Sequence, residues 1–427
     1  MFGRRRPSAL ARRGATSLQV LVILVPVLFA FMGFAVDLGR LYMIRSELQA
    51  AANAVALAAA QKLIGTDASL DDALAAAGRP QDNTEGFANR YDFAGITIGE
   101  TTGELSSEIP APTFHETVAS AAGEGDSAGA EAGGGSTARH ARVTVRADAP
   151  LLFWGFLRQG LERRTPVVVA AVAGHSAPLC TACGIEILAV AAPDSSEETD
   201  FGFVPGIRYT LGFGCTGGPT PAALGGTAGR IPYVILNRLN EEAEIFAEEN
   251  TQLFRIGAQG MPASTVSARS CVSVNAAEQV WAGANPIGCN QNRIPSQVQA
   301  LLCGLASRFE SEVPGACSNI GEVETLAALY QPDTDLSDLE EYAAYAGNLR
   351  RVITVVVVDS LATPEAMTVL GFRQFLLSLP PTATSINVAD TNGRFPALYI
   401  GGVVPLRQGR FDGCTIAAGP GKVVLHR

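Results

Sequence analysis

The 427-residue chain has no cysteine before residue 180 and only four histidines, His115, His140, His175 and His426, scattered along its length. Scattered histidines do not supply the close spacing that a metal set requires. Charged residues make up only 17%, which is low for a surface-rich cytosolic enzyme, whereas 47% hydrophobic residues is ample for a core. A phosphate loop of the form G-x-x-x-x-G-K-[ST] is missing, and Gly419-Pro420-Gly421-Lys422 has the wrong spacing and no following hydroxyl. Acidic residues are missing from the first 15 positions, which carry Arg4, Arg5, Arg6, Arg12 and Arg13. The formal net charge of −10 therefore leaves −15 on the remainder. An acidic bulk repels a phosphate backbone, which argues against a nucleic-acid partner. Five arginines just before an apolar run read instead as a topology signal, holding the N-terminus in the cytoplasm and exporting the chain beyond the run.

What is present is a long apolar run. Between Leu18 and Val36 the one polar side chain is Gln19. A bilayer core takes about 20 apolar residues in a helix, so residues 16–36 are predicted to span a membrane. Pro26 lies inside, where a spanning helix tolerates a kink. Asp37-Leu38-Gly39-Arg40 marks the water boundary. Leu41, Ile44, Leu48, Ala51, Val55 and Ala58 then recur at steps of three and four, the spacing of one helical face. Alanine favours the helix and keeps it slim, so this seam is expected to pack closely on neighbouring helices. The seam meets Lys62, and Gly65-Thr66-Asp67 supplies a stop. The span and the alanine-rich segment together predict one rod of about 70 Å. An anchor followed by an ordinary core helix is the other reading of the same pattern. A cleavable secretory signal fits less well, since its apolar region is shorter and ends in a small-x-small site.

The order Arg12-Arg13-Gly14-Ala15, Pro26, Ala35-Val36-Asp37-Leu38-Gly39-Arg40-Leu41-Tyr42 and Leu48-Gln49-Ala50-Ala51-Ala52-Asn53-Ala54 resembles the TadE/TadG-like family. These are pilus-assembly proteins and minor pilins of the Flp (tight-adherence) system. The resemblance implies a pilin-like helix that packs against other pilus-system subunits, or against copies of itself, in the bacterial inner membrane. Gly14 is then the candidate prepilin-type processing site. The prepilins that the segment resembles carry Glu at the fifth position after the cut, where this chain has Gln19. The substitution fits the TadG-like branch, kept as an uncleaved membrane protein.

After the rod, Asp67 to Ala77 reads as a short helix. Tyr91-Asp92-Phe93, Ile96-Thr97-Ile98, Ala141 to Arg146 and Val167 to Val172 read as strands. Residues 119–137 hold no aromatic and no large aliphatic side chain and are expected to form a flexible loop. The apolar run Leu151-Leu152-Phe153-Trp154 lies between two of these strands. Residues 37–174 thus form a pilin-like helix on a small antiparallel sheet, and the family's head resembles this order.

All eight cysteines, Cys180, Cys183, Cys215, Cys271, Cys289, Cys303, Cys317 and Cys414, fall on the exported side and read as disulfide candidates. Their pairing is not readable, although Cys303 and Cys317 are close enough for a local bridge. Cys180-Thr181-Ala182-Cys183 admits a redox or metal reading. The first needs a following helix where Gly184 to Leu188 alternates like a strand. The second needs ligands that do not follow, so structural disulfides are expected. Beyond Ile231 the pattern of Tyr233, Leu236, Leu239, Ile245 and Phe246 predicts a helix with a solvated glutamate face. Val298 to Leu305 and Val323 to Tyr330 predict others, and Ser337 is the expected N-cap of a further one.

Val352 to Val358 is the strongest strand signal and ends in Asp359. A von Willebrand A site needs D-x-S-x-S, and Leu361 stands at the first serine, so this resembles the TadG-like branch without that domain. Gly371 to Leu377 and Ala397 to Val404 are further strands. The fold class read here is α+β, with a single transmembrane helix continuing into a long pilin-like helix, a small antiparallel sheet and a disulfide-rich exported region. The domains expected are a basic cytoplasmic segment 1–15, the span 16–36, the helix and sheet 37–174, a cysteine-rich region 175–347 and a β-rich region 348–427. The function expected is non-enzymatic pilus assembly with a periplasmic bulk, no cofactor and no small-molecule substrate. An exported adhesion module on a stalk and a periplasmic enzyme are the alternatives.

Overall fold

In the computed structural model, the described residues are 11–78, 101–102, 105–108, 111–123, 129–151, 153, 164–186, 188–214, 224, 229–236, 271–278, 296–309, 315–317, 332–337, 339–361, 366–380 and 383–426. The first element is a single 50-residue helix, α1 (Ala11–Ala60), which runs through Pro26. Its apolar half has a mean hydropathy of 2.5 over its best window and is almost wholly exposed, unlike the core helix of a soluble protein. In the second half one face is buried. Past Ala60 the turn tightens through Lys62 and Leu63 to Gly65, whose φ of +81° suits glycine. α2 (Ser69–Gly78) then folds back against α1.

A first sheet covers the buried half of α1. Its strands are β1 (Thr101–Thr102), β2 (Leu105–Glu108), β3 (Thr113–His115), β4 (His140–Pro150) and β5 (Arg164–His175). β4 and β5 form a long antiparallel hairpin, in register from His140 opposite Gly174 to Pro150 opposite Arg164. Alternate residues of β4, namely Ala141, Val143, Val145, Ala147 and Ala149, are buried together with Ile44, Leu48, Ala51, Ala52, Val55, Ala56, Ala59 and Ala60 of α1. Alanine faces alanine across this interface, so helix and sheet approach closely and little space is left unfilled.

The stretch 119–137 departs from the expected flexible loop. Its start forms α3 (Val118–Ala122), capped by the Thr117 side chain on the Ser120 N–H. Farther on, Ala132 N–H donates to the Phe114 carbonyl at 2.8 Å, and Gly135 is buried. The small side chains that look like flexibility in sequence permit close backbone contact. A Cβ on Gly135 would lie only 2.1 Å from the Thr66 carbonyl oxygen.

The second body is a barrel. Its strands are β7 (Leu188–Ala191), β8 (Arg208–Phe213), β9 (Gly229–Ile235), β12 (Val352–Val358), β13 (Met367–Leu377) and β14 (Phe395–Gly401). They pair in the order β13-β12-β7-β9-β8-β14, and β14 pairs back onto β13, which closes the ring. β11 (Ala277–Glu278) adds to β13 outside it. The interior is filled by side chains such as Phe203, Tyr209, Tyr233, Phe375, Phe395 and Tyr399, joined by Leu301, Leu302 and Leu305 of α4 (Ser296–Ala306). Closure removes the edges that would otherwise be open to pairing. Where α4 runs on, the Arg308 guanidinium pairs with the Glu186 carboxylate, both almost wholly buried. Burial pushes the Glu186 carboxyl up, and Arg308 opposes that shift.

Several expectations are corrected here. Gly229 to Ile235 is a strand where the pattern predicted a helix from Ile231, because β7 and β8 hold it on both sides. Ser337 caps no helix; it hydrogen-bonds Asp335, and a 3-10 turn spans Tyr342 to Ala344. Residues 175–347 and 348–427 do not separate, because strands from both halves alternate around one barrel. A small sheet of β6 (Thr181–Cys183), β10 (Val272–Ser273) and β15 (Gln408–Arg410) is stapled by Cys183–Cys271 and Cys180–Cys414. β16 (Val423–His426) then returns to the first sheet and pairs with β5. The expected strands within 89–98, the solvated glutamate face at residues 241–249, the helix at Val323 to Tyr330, and Cys215 and Cys289 all lie outside the described residues.

Candidate functional site

The helix α1 organises everything that bears on function. Of the expected packing seam, Ile44, Leu48, Ala51 and Val55 are at most 4% exposed, Leu41 and Ala58 are half-buried, and the cover is the protein's own sheet. Of the two neighbours expected for this helix, the small sheet of its own unit and other subunits, the sheet takes the seam. A slim alanine face docks equally well on a helix or on a sheet of alanines, and spacing alone does not tell them apart.

The other side of α1 is open. Tyr42 is 67% exposed, and Arg45, Ser46 and Ala50 are exposed beside it. Together with Gln49 and Asn53 they line one shallow groove. A second groove joins Leu38, Leu41, Tyr42 and Arg45 to Thr165, Pro166, Val167 and Val168 of β5. On this flank β16 pairs only with residues 172–175 of β5, so among the described residues the stretch 164–171 has no strand on that edge. The Gln49 side chain donates to the Ala170 carbonyl at 3.0 Å and partly caps the edge. The result is a helix face with an open strand edge beside it.

At the lower end of the head, Gly33 and Asp37 are buried although their neighbours on α1 are exposed. The cause is Phe153, three residues past the end of β4. Its ring lies where a Cβ on Gly33 would stand, and its backbone N–H donates to the Asp37 carboxylate at 3.0 and 3.2 Å. Spacing offered no signal for this contact, since 116 residues separate the two groups.

At the upper end, the four histidines that are scattered in sequence come together. His115 and His140 are cross-strand partners, His140 and His426 have ring centroids 5.1 Å apart, and His175 lies in the same group. His115 is held by the Ala130 carbonyl at 2.8 Å. Burial, then the neighbouring His426, holds His140 down to about 4, with the Glu116 carbonyl opposing and His115 and Arg139 adding to the shift. Burial, then Arg139 and His140, holds His175 down to about 3 against the Leu63 carbonyl. His426 is lowered by burial as well. Among the described residues no group of three or more His, Cys, Asp or Glu side chains is placed to share a metal ion.

The remaining candidates serve structure. Cys180 and Cys183 bridge to different partners, Cys414 and Cys271, rather than to each other, and Cys303 bridges to Cys317. Asp359 accepts from the Ser360 and Thr368 N–H groups at the strand end. Lys422 donates to the Gly409 carbonyl. Gln19 is exposed on α1, and Gly14 lies within its first turns. Of the arginine signal, Arg12 and Arg13 fall at the start of α1, while Arg4, Arg5 and Arg6 lie outside the described residues.

Among the described residues one exposed apolar helix, long enough to cross a membrane, carries a folded, disulfide-stapled head, the arrangement suited to a protein anchored by its N-terminal end. Residues 14–62 match the family described as putative Flp pilus-assembly TadE/G-like, so the chain carries that family's domain at its N-terminal end. The match takes in the apolar half of α1 and the buried seam, and stops at Lys62. No curated protein and no solved structure matches the chain.

Proposed function

We propose that this protein is a non-enzymatic, single-pass pilus-assembly protein or minor pilin-like subunit of a Flp (tight-adherence) system. Its N-terminus lies in the cytoplasm, its span in the bacterial inner membrane and its bulk in the periplasm. The observation that carries the reading is α1 itself: one unbroken helix, apolar and exposed below and buried in its own sheet above, coinciding with the TadE/G-like match. Five arginines ahead of the span support the orientation, and cystines confined to the other side support an oxidising destination.

The surface offered to other pilus-system subunits is the open flank of α1 at Tyr42, Arg45, Ser46 and Ala50, with the β5 edge beside it. The span below offers its exposed apolar residues to helices in the membrane. A photo-crosslinking residue at Ala50 is expected to capture pilus-system membrane subunits in cells, and Ala50→Arg to reduce their co-purification from gently solubilised membranes. Unchanged co-purification with Ala50→Arg rules out this flank as the contact. Intact mass of the purified protein tests whether residues 1–14 remain, which the TadG-like reading requires.

A further inference from the structure

The contact between Phe153 and Gly33 bears on where the head sits relative to the bilayer, an inference that deepens the anchor reading and rests on it. Gly33 lies three residues before Val36, the end of the apolar run, so the helix rise puts it about 4.5 Å farther into the span. The Phe153 ring is packed against Gly33 itself. Any depth assigned to Gly33 therefore holds for Phe153. The ring is nonetheless 44% exposed, and Leu151 just above it is half-buried.

The backbone chemistry fits the same location. A backbone N–H beyond the end of a strand is normally satisfied by water, and lipid cannot take its place. Here the buried Asp37 carboxylate takes the Phe153 N–H, so the amide is satisfied by the anchor helix. The buried face of α1 thus begins at Gly33, inside the apolar run, and passes through Asp37 to Ile44 and Leu48 under the sheet. In sequence, Phe153 stands in an apolar run beginning at Leu151, a composition suited to the boundary between headgroups and acyl chains.

We infer that Phe153 and Leu151, just past the end of β4, dip into the acyl-chain edge of the periplasmic leaflet beside α1, so that the head is seated on the lipid surface. The anchor is then a helix plus a wedge. The wedge limits how far the head can swing and fixes which flank of α1 turns toward neighbouring subunits.

The test uses the full chain in nanodiscs whose phospholipids carry bromine high on the acyl chain, near the glycerol. Trp154→Phe and Trp281→Phe leave a silent background, into which single tryptophans are placed by Phe153→Trp, Phe34→Trp in the span and Phe411→Trp on the exposed head. Circular dichroism matching the parent establishes that each variant is folded. The expected result is a loss of Phe153→Trp fluorescence comparable with that of Phe34→Trp, and none for Phe411→Trp. If Phe153→Trp stays bright while Phe34→Trp is quenched, residue 153 lies in water or under a protein partner, and the wedge is overturned with the anchor intact. If neither is quenched, the anchor reading itself fails. Should Phe153→Trp not fold, Leu151→Trp reports in its place, and an unquenched Leu151→Trp overturns the wedge.

Discussion

At the scale of the residue, the histidine group ties the stability of the fold to pH. His140 and His175 are held neutral because burial disfavours the imidazolium, with pKa values down to about 4 and about 3, and Arg139 adds its positive charge to both. Unfolded, each titrates near 6.5. Between these limits the unfolded chain binds more protons than the folded one, so stability is lost as pH falls from about 6.5 toward the folded values. Urea midpoints are expected to decline over that window, and His140→Gln to flatten the decline. An unchanged slope in the variant would remove His140 from the account. The charged and titratable groups facing the cluster are Arg139, Glu116 and Tyr342 together with the four imidazoles, and none supplies a carboxylate paired to His140 or His175. None of this was legible in the sequence, because the four positions meet only after β3, β4, β5 and β16 align.

At the scale of the element, α1 is two helices in one. Its lower half needs only length and hydropathy to be recognised. Its upper half carries a seam whose periodicity announces a buried face without saying what buries it. The structure answers that the cover is β4 and β5, so a change in the seam acts on folding before it acts on partners. Leu48→Ala is expected to destabilise the head by about 2–5 kcal/mol, the range for a fully buried leucine. Ala51→Arg is expected to abolish the folded head, whereas Ala50→Arg, one residue away and exposed, leaves it intact. Limited proteolysis of the membrane-embedded chain separates these outcomes. A head that resists protease equally in Ala51→Arg would show that the seam is not packed as described. β9 makes the complementary point. Ile231, Tyr233 and Ile235 alternate inward while β7 and β8 supply hydrogen bonds on both sides. The isolated segment carried a helical spacing, and its neighbours overrode it.

At the scale of the whole molecule, the chain folds by returning on itself. Residues far apart close the barrel, and Cys180–Cys414 joins points separated by 234 residues. A bridge that spans so much chain limits the unfolded ensemble by about 5 kcal/mol in the loop-entropy account. Cys180→Ser with Cys414→Ser is therefore expected to lower the unfolding temperature markedly, and more than Cys303→Ser with Cys317→Ser, whose bridge closes a separation of only 14. Equal losses in calorimetry would contradict the loop-length argument. The interleaving also explains why five sequential domains were expected and the second half behaves as one. A boundary drawn at residue 348 cuts β12 away from β7 and β14 away from β8, their partners in the ring.

The apolar anchor, the helix after it, the strands at residues 141–146 and 352–358, and the use of cysteines as structural bridges were all determined by the sequence alone. Each depends on composition or on a period of a few residues, and such signals survive without knowledge of the rest of the chain. Tertiary structure alone decided that the seam faces its own sheet, that β14 closes on β13, that four histidines meet, and that Phe153 rests on Gly33. Those contacts join residues tens to hundreds of positions apart. Their energy comes from complementary shape and burial, which no local window contains.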